Sequence, residues 1–334
     1  MKTVRLLLCG MGNVHRNFLR ILESQRDLLQ ERHELNLVVV GVTDSGGAAF
    51  DGTGLEVHAI LTAKAAGRSV ATLPGGRAGM GGVALLDVVS ADLLLEATTV
   101  SLRDGQPGLN AVRAALRRGA SVVLANKGPL ALAFQELDAL ARQNRARMSY
   151  SACVGGALPT INIGVRDLAG ARVTKVEAMV NGTCQGILRL METGRSFEDA
   201  LAEMQSRGVV EADPSLDIDG WDAAAKLTII ANAVLRRPTT IADVRVSGIR
   251  GLSAADLRAA TARGERWVLL GRAERRGGAP DGDWDLSVAA EPVPQTHPLA
   301  RMSGDEMGVV YHTDISGVIS AAVLETDAMP TAAA

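Results

Sequence analysis

The 334-residue sequence predicts an α/β protein in which a doubly wound parallel sheet is followed by an α+β domain. Three observations predict it. Apolar strand-like runs alternate with amphipathic helical stretches through the first part of the chain. A Gly-x-Gly turn joins the first such strand to its helix. From Ser151 the texture changes to strands that alternate apolar and polar residues. The length also exceeds what one core usually serves. The reading therefore assigns residues 1–150 to one domain, 151–310 to a second that binds substrate and dimerises, and 311–334 to a C-terminal hairpin and return segment.

The elements follow in order. Val4 to Cys9 reads as a short apolar strand, followed by Gly10-Met11-Gly12-Asn13. A helix is predicted from about Val14 to Arg32, because Phe18, Leu19, Leu22 and Leu29 share one face. Leu37 to Val42 is apolar throughout, as a parallel strand covered on both sides should be. Leu93 to Ala97 and Ser121 to Ala125 read as further strands, with a helix at Leu109 to Arg118. The glycine-rich stretch Gly67 to Gly82 reads as a loop. In the second part, Arg172 to Val180 and Trp284 to Ala290 read as half-exposed strands, and Ser196 to Arg207 and Trp221 to Leu235 as helices. Val309 to Thr313 and Val318 to Leu324 form a predicted hairpin around Ser316-Gly317. Such a sheet can pair with another subunit, so a homodimer is expected.

Composition narrows the function classes. Hydrophobic residues are 47% and charged residues 22%, which suits a globular chain rather than a disordered one. No apolar run approaches the ~18 residues of a membrane span. The start, MKTVRLLLCG, leads directly into a folded pattern, so a cytoplasmic protein is expected. A net charge of -2 gives no reason to expect nucleic acid or an anionic membrane as partner. Cys9, Cys153 and Cys184 show no CxxC spacing and suit a reducing cytosol. The five histidines show no metal-ligand spacing. Only five of 35 basic residues are lysines, so each is a candidate for a place where arginine's permanent charge would not serve. For Lys2, Lys64 and Lys175 chance is an adequate reading.

Gly10-Met11-Gly12-Asn13-Val14-His15 stands where a Rossmann dinucleotide turn belongs. The first glycine permits the tight turn, and the second lets the backbone approach a pyrophosphate at the helix N-terminus. Gly10, Gly12, Asn13 and Val14 are thus cofactor candidates. His15 replaces the third glycine and reads as a spacing substitution at the helix–strand contact. Asp44 follows the second strand, where a carboxylate can take the ribose 2′-hydroxyl of NAD, although a plain turn aspartate fits equally. Ser45-Gly46-Gly47 offers no cation for a 2′-phosphate, which leans towards NAD over NADP.

The stretch from Glu211 through Asp213, Asp217, Asp219 and Asp222 to Lys226 packs five carboxylates into twelve residues before a lysine. Asp222 and Lys226 are i and i+4, so they share a face if a helix begins near Gly220, with Asp219 as N-cap. A solvated acidic loop is one reading. A calcium loop is excluded, because its twelfth position needs a bidentate glutamate and falls on Lys226. The third is a pocket whose carboxylates hold a substrate ammonium while Lys226 exchanges a proton with a reacting hydroxyl. A second lysine, Lys127 in Ala125-Asn126-Lys127-Gly128-Pro129, follows a strand at the edge where α/β ligands bind. It reads either as a surface lysine before a helix or as a functional group.

Together these residues resemble the homoserine dehydrogenase family over most of the chain, in a short form without an aspartokinase or C-terminal regulatory domain. Gly208 to Lys226 resembles that family's signature. Ala125 to Pro129, Asn181-Gly182-Thr183 and Val154-Gly155-Gly156-Ala157-Leu158-Pro159 resemble three further motifs. The resemblance implies NAD(P)-dependent interconversion of homoserine and aspartate semialdehyde. It implies that Lys226 is the acid/base lysine and that Lys127 lies between nicotinamide and substrate. It further implies that Glu211, Asp217, Asp222 and Thr183 contact homoserine, and that Thr98 and Ser101 lie near the cofactor. A monovalent cation, Na+ or K+, is implied at the backbone carbonyls of Val154, Gly156 and Leu158. The chain departs from the family at His15, at Ser151 where a cation-holding glutamate is usual, and at Gln185 and Gly186.

Two rival readings differ in class. Cys153 near a glycine turn could serve an aldehyde dehydrogenase as nucleophile. A dinucleotide-binding sensor that kept the fold without the chemistry would leave both lysines expendable. A paralogue acting on another small amino alcohol is a third.

Overall fold

The computed structural model describes residues 1–207, 210, 213–276, 283–325 and 329–334. The chain divides into two units, Met1–Gly156 with Asp327–Ala334, and Ala157–Thr326.

In the first unit, β1 (Lys2–Cys9), β2 (Leu35–Asp44), β5 (Leu93–Glu96), β6 (Ser121–Leu124) and β7 (Met148–Ser149) pair in parallel. Two short strands, β3 (Gly47–Phe50) and β4 (Gly76–Ala78), extend the sheet antiparallel beyond β2. The order is β4-β3-β2-β1-β5-β6-β7. Helices α1 (Asn13–Ser24), α2 (Arg26–His33), α3 (Val57–Ala65), α4 (Gly82–Val88), α5 (Gly108–Arg117) and α6 (Gly128–Gln143) connect the strands. Leu6, Leu7 and Leu8 are all buried, which requires cover on both faces of β1. One core cluster joins Leu6 and Leu8 to Leu19 and Leu22 of α1, Val39 and Val42 of β2, and Ile60 of α3.

Two expectations change here. The single helix from Val14 to Arg32 is two helices that break at Gln25, whose φ of -110° and ψ of 13° are not helical. The break falls in the polar run Glu23-Ser24-Gln25-Arg26-Asp27, and α2 buries none of its residues. Leu29 packs only half-buried against the core, too little to hold a long helix straight against the sheet. The stretch Gly67 to Gly82 is also not simply a loop: it carries a 3₁₀ turn at Val70–Thr72 and strand β4. A three-residue strand leaves no periodicity to read.

The second unit contains α7 (Thr160–Asn162), β8 (Val173–Met179), α8 (Gly182–Glu192), α9 (Phe197–Ser206), α10 (Ser215–Ile218) and α11 (Trp221–Ala233). It continues through β9 (Arg245–Val246), α12 (Ala254–Ala262), β10 (Glu265–Arg275), β11 (Trp284–Pro294), β12 (Glu306–Thr313) and β13 (Val318–Leu324). Its sheet runs β13-β12-β8-β10-β11-β9, and the expected hairpin is the antiparallel pair β12–β13. Met179, Val268, Leu270 and Val310 anchor the core on one sheet face. Helix α11 buries Ala223, Ala224, Ala225, Leu227, Ile229 and Ile230, so it is an interior helix rather than a surface one. The last helix, α13 (Pro330–Ala333), belongs to the first unit and packs on α1.

Candidate active site

In the first unit a cavity of about 470 Å³ opens at the carboxyl ends of β1, β2 and β5. Gly10, Met11, Gly12, Thr43, Asp44, Lys64 and Thr98 are among its lining residues. Gly10 has φ 89°, and a Cβ there would lie 2.6 Å from the Ala97 carbonyl oxygen. Only glycine makes that turn. Gly12 is the N-cap of α1, and space for a Cβ on it is open. No described side chain caps α1 and no acid stands in its first turn, so its amides and its positive dipole end remain available to an anion. These features fit a dinucleotide pyrophosphate.

Asp44 ends β2, and its carboxylate accepts from Lys64 Nζ (2.7 Å), Ser69 Oγ (2.7 Å), Val70 N (2.9 Å) and Gly46 N (2.9 Å). Burial pushes its pKa up, and these hydrogen bonds outweigh burial and hold it below the usual carboxylate range. Lys64 is therefore not a chance lysine. It reaches Asp44 across twenty positions of sequence, and no local spacing announces the pair.

The other first-unit candidates lie apart from this lining. Asn13 and Val14 stand on the first turn of α1, where Asn13 Oδ1 accepts from Arg16 and Val14 faces an apolar space with Phe18 and Leu95. His15 is buried and its Nδ1 donates to the Gly10 carbonyl (2.6 Å). Burial lowers its pKa to about 4, so the ring is neutral at pH 7 and acts as a brace for the turn. Ser101 Oγ donates to Asp104 Oδ1 (2.7 Å). Lys127 is the N-cap residue of α6, half-buried, in a turn held by Gly128 N donating to Asn126 Oδ1 (2.9 Å). Cys153 is buried and its thiol donates to the Leu124 carbonyl (3.2 Å), which removes the support for a cysteine nucleophile.

In the second unit the acidic segment folds around one amide. Asn181 Nδ2 donates to Asp217 Oδ1 (2.7 Å) and to Asp222 Oδ2 (2.8 Å), while Asn181 Oδ1 caps α8 by accepting from Cys184 N (2.8 Å). Lys226 Nζ stands 2.7 Å from Asp222 Oδ2 and donates to the Val180 carbonyl (2.5 Å). Thr183 sits in the first turn of α8, two residues from Asn181. Asp217, Asp222 and Lys226 are thus drawn around the start of α8, where Thr183 also stands. Glu211 lies outside the described residues.

Asp219 differs from expectation. The N-cap of α11 is Gly220, whose φ of 88° needs a glycine, and Asp219 is paired instead with Arg250. That pair and the bond from Ile249 N to the Ile218 carbonyl (2.9 Å) pin the acidic turn from outside. Asn181 is the residue that sequence reasoning left unassigned. Its signal was present as an N-cap asparagine before Gly182-Thr183, but its second role depends on carboxylates 36 and 41 positions away.

The unusual Gln185 and Gly186 also find partners. In the orientation that satisfies both groups, the Gln185 amide oxygen accepts from Arg189 Nη2 (2.8 Å) and Nε (3.0 Å). A Cβ on Gly186 would fall 2.5 Å from Met204 Cε, the flexible tip of a side chain on α9, which packs against α8. In the glycine-rich run, Gly155 and Gly156 have φ of 83° and 57°, and the Leu158 carbonyl accepts from Thr160 N (2.7 Å). Ser151 begins a 3₁₀ turn, its carbonyl accepting from Val154 N (3.1 Å).

The chain is similar to several known proteins. A family model described as homoserine dehydrogenase matches residues 159–334. An NAD(+)-dependent homoserine dehydrogenase of Pseudomonas canavaninivorans is 34% identical over 96% of this chain and 90% of its own. A homoserine dehydrogenase of Methanocaldococcus jannaschii is 32% identical over 96% and 89%. The crystal structure of homoserine dehydrogenase from Thermoplasma acidophilum superposes with TM-score 0.82 at 27% identity, covering 99% of this chain and 96% of that one. A hyperthermophilic archaeal homoserine dehydrogenase mutant in complex with NADPH gives TM-score 0.83 at 25% identity, covering 99% and 94%. The chain belongs to the homoserine dehydrogenase family.

Proposed function

We propose that the two units divide the labour of an NAD(P)-dependent homoserine dehydrogenase, which interconverts L-homoserine and L-aspartate 4-semialdehyde. The observation that carries the mechanism is the Lys226–Asp222–Asn181–Asp217 cluster. Asp217 and Asp222, held side by side by one amide, present negative charge to the substrate ammonium, with Thr183 beside them. On oxidation Lys226 Nζ takes the proton of the reacting hydroxyl, and on reduction it returns that proton to the carbonyl oxygen. Asp222, 2.7 Å from that nitrogen, stabilises the ammonium that results. Lys127 is assigned to orient the reacting groups. NAD(P), when bound, accepts or supplies the hydride.

Gly10 and Gly12 are assigned to the pyrophosphate and Asp44 to the ribose, with Asn13, Val14, Thr98 and Ser101 as neighbours. Asp44 already commits Lys64, and its negative charge disfavours a 2′-phosphate, so NAD is the proposed cofactor. The NAD(+)-dependent relative supports that choice. The carbonyls of Val154, Gly156 and Leu158 suit Na+ or K+, which prefer oxygen ligands, although Leu158 also serves Thr160. A homodimer is proposed through the face of the second sheet that exposes Val318 and Leu324 on its edge strand. Three buried, unbridged cysteines suit a reducing cytoplasm. The deciding assay follows absorbance of the reduced nicotinamide with homoserine and with aspartate semialdehyde, using each cofactor in turn. Turnover of neither substrate, in protein shown to be folded, would return the sensor reading.

A further inference from the structure

Glu96 closes β5 and is fully buried, yet the mechanism gives it no task. Its surroundings are built to contact. Gly108, at the start of α5, lies directly over the carboxyl: a Cβ there would fall 2.7 Å from both Glu96 Cδ and Oε1. Glu96 Oε1 accepts from Thr98 N (2.9 Å) and from the Thr98 hydroxyl. That commits the hydroxyl's only proton, so Thr98 Oγ1 accepts from Asn126 Nδ2 (3.2 Å). Asn126 Oδ1 is then free to accept from Gly128 N (2.9 Å), immediately after Lys127.

The chain of hydrogen bonds has one polarity, and Glu96 is the acceptor that sets it. It spans the two loops at the carboxyl ends of β5 and β6. Those loops are also in close approach, since a Cβ on Gly128 would lie 2.7 Å from the Ser101 carbonyl oxygen. Thr98 lines the dinucleotide cavity.

The second carboxyl oxygen, Oε2, is buried without a hydrogen-bond partner among the described residues. A polar group left so costs more than a leucine of similar size would. Burial pushes this carboxyl above the usual range, against the hydrogen bonds it accepts from Thr98. The fold alone gives no reason to retain such a group.

We propose that Glu96 is a positioning residue that fixes Thr98 towards the bound dinucleotide and holds the Asn126-Lys127-Gly128 turn in its working conformation. The proposal rests on the reading that the first unit's cavity takes NAD(P).

The test compares Glu96→Leu, Glu96→Gln and Thr98→Val by steady-state kinetics, with urea unfolding alongside. Glu96→Leu removes the acceptor, and the expected result is a cofactor KM raised and a kcat lowered by about tenfold each. Its KM for homoserine stays within about twofold and its urea midpoint is unchanged or higher. Glu96→Gln keeps an acceptor at the same place and is expected to behave as the unmodified enzyme. Wild-type kinetics in a folded Glu96→Leu, or equal damage in Glu96→Gln, would overturn the proposal. If Glu96→Leu does not fold, Thr98→Val cuts the same chain one link later, and normal kinetics there would overturn it equally. Gly12→Val separates the two readings. A normal cofactor KM in that variant removes the cavity assignment and this proposal with it. A raised KM there beside a normal Glu96→Leu removes only the role of Glu96.

Discussion

Lys226 Nζ stands 2.7 Å from Asp222 Oδ2, one helical turn along the same face of α11, and the Asp222 oxygen is also held by Asn181. In the proposed mechanism this anionic neighbour steadies the lysine when it carries the substrate proton. Asn181 in turn ties that neighbour to Asp217, so charge and geometry are set together.

Lys226→Met keeps the length of the side chain and removes the proton. Turnover should fall by two orders of magnitude or more, roughly the worth of general acid–base catalysis. Cofactor affinity, measured by quenching of protein fluorescence, should be nearly unchanged. Undiminished turnover would remove the proposed proton path.

Asn181→Ala releases both carboxylates and uncaps α8. The KM for homoserine should rise by about tenfold or more, as for loss of hydrogen bonds to charged groups. Thermal stability should drop by about 1 kcal/mol from the lost cap. Asn181→Asp, which sets a third negative charge against the first two, should be worse than alanine in kcat/KM. A variant series in which aspartate outperforms alanine contradicts the clamp.

Asp44→Ser frees Lys64 from its 2.7 Å ion pair and removes the charge that repels a 2′-phosphate. The ratio of kcat/KM for NADP to that for NAD should rise by about tenfold or more. Lys64→Met in the same background should cancel most of that gain. No change of ratio in either variant would show that cofactor choice is made elsewhere.

His15 gives a pH signature. Its folded pKa of about 4 lies below the free value of 6.5, so folding favours the neutral ring. The stabilisation is complete above pH 6.5 and is lost as pH falls through 4, up to roughly 3 kcal/mol. Urea midpoints measured at intervals through that window should fall in the unmodified protein. In His15→Asn, which offers a donor to Gly10 but does not titrate, the decline should be shallower. Parallel declines would mean that other groups carry the acid sensitivity.

Much of this protein was legible in residues close together in sequence. The β1–Gly10–Gly12–α1 turn and the parallel strands β2, β5 and β6 could be read because apolar period and glycine placement are local signals. The Asp222–Lys226 pair could be read for the same reason, since helix geometry alone brings positions four apart onto one face. Where the signal was short or flat, it failed: β3 and β4 have too few residues to show a period, and α2 has no buried face to distinguish it from a continuation of α1. Only the tertiary structure decided which charges meet. Lys64 serves Asp44, Arg250 takes Asp219 away from helix capping, and Asn181 joins two aspartates from a different element. Sequence spacing fixes the partners of a residue within about one helical turn or one strand pairing. Beyond that distance the packing of elements chooses them, because burying an unpaired charge costs more than any local preference can return.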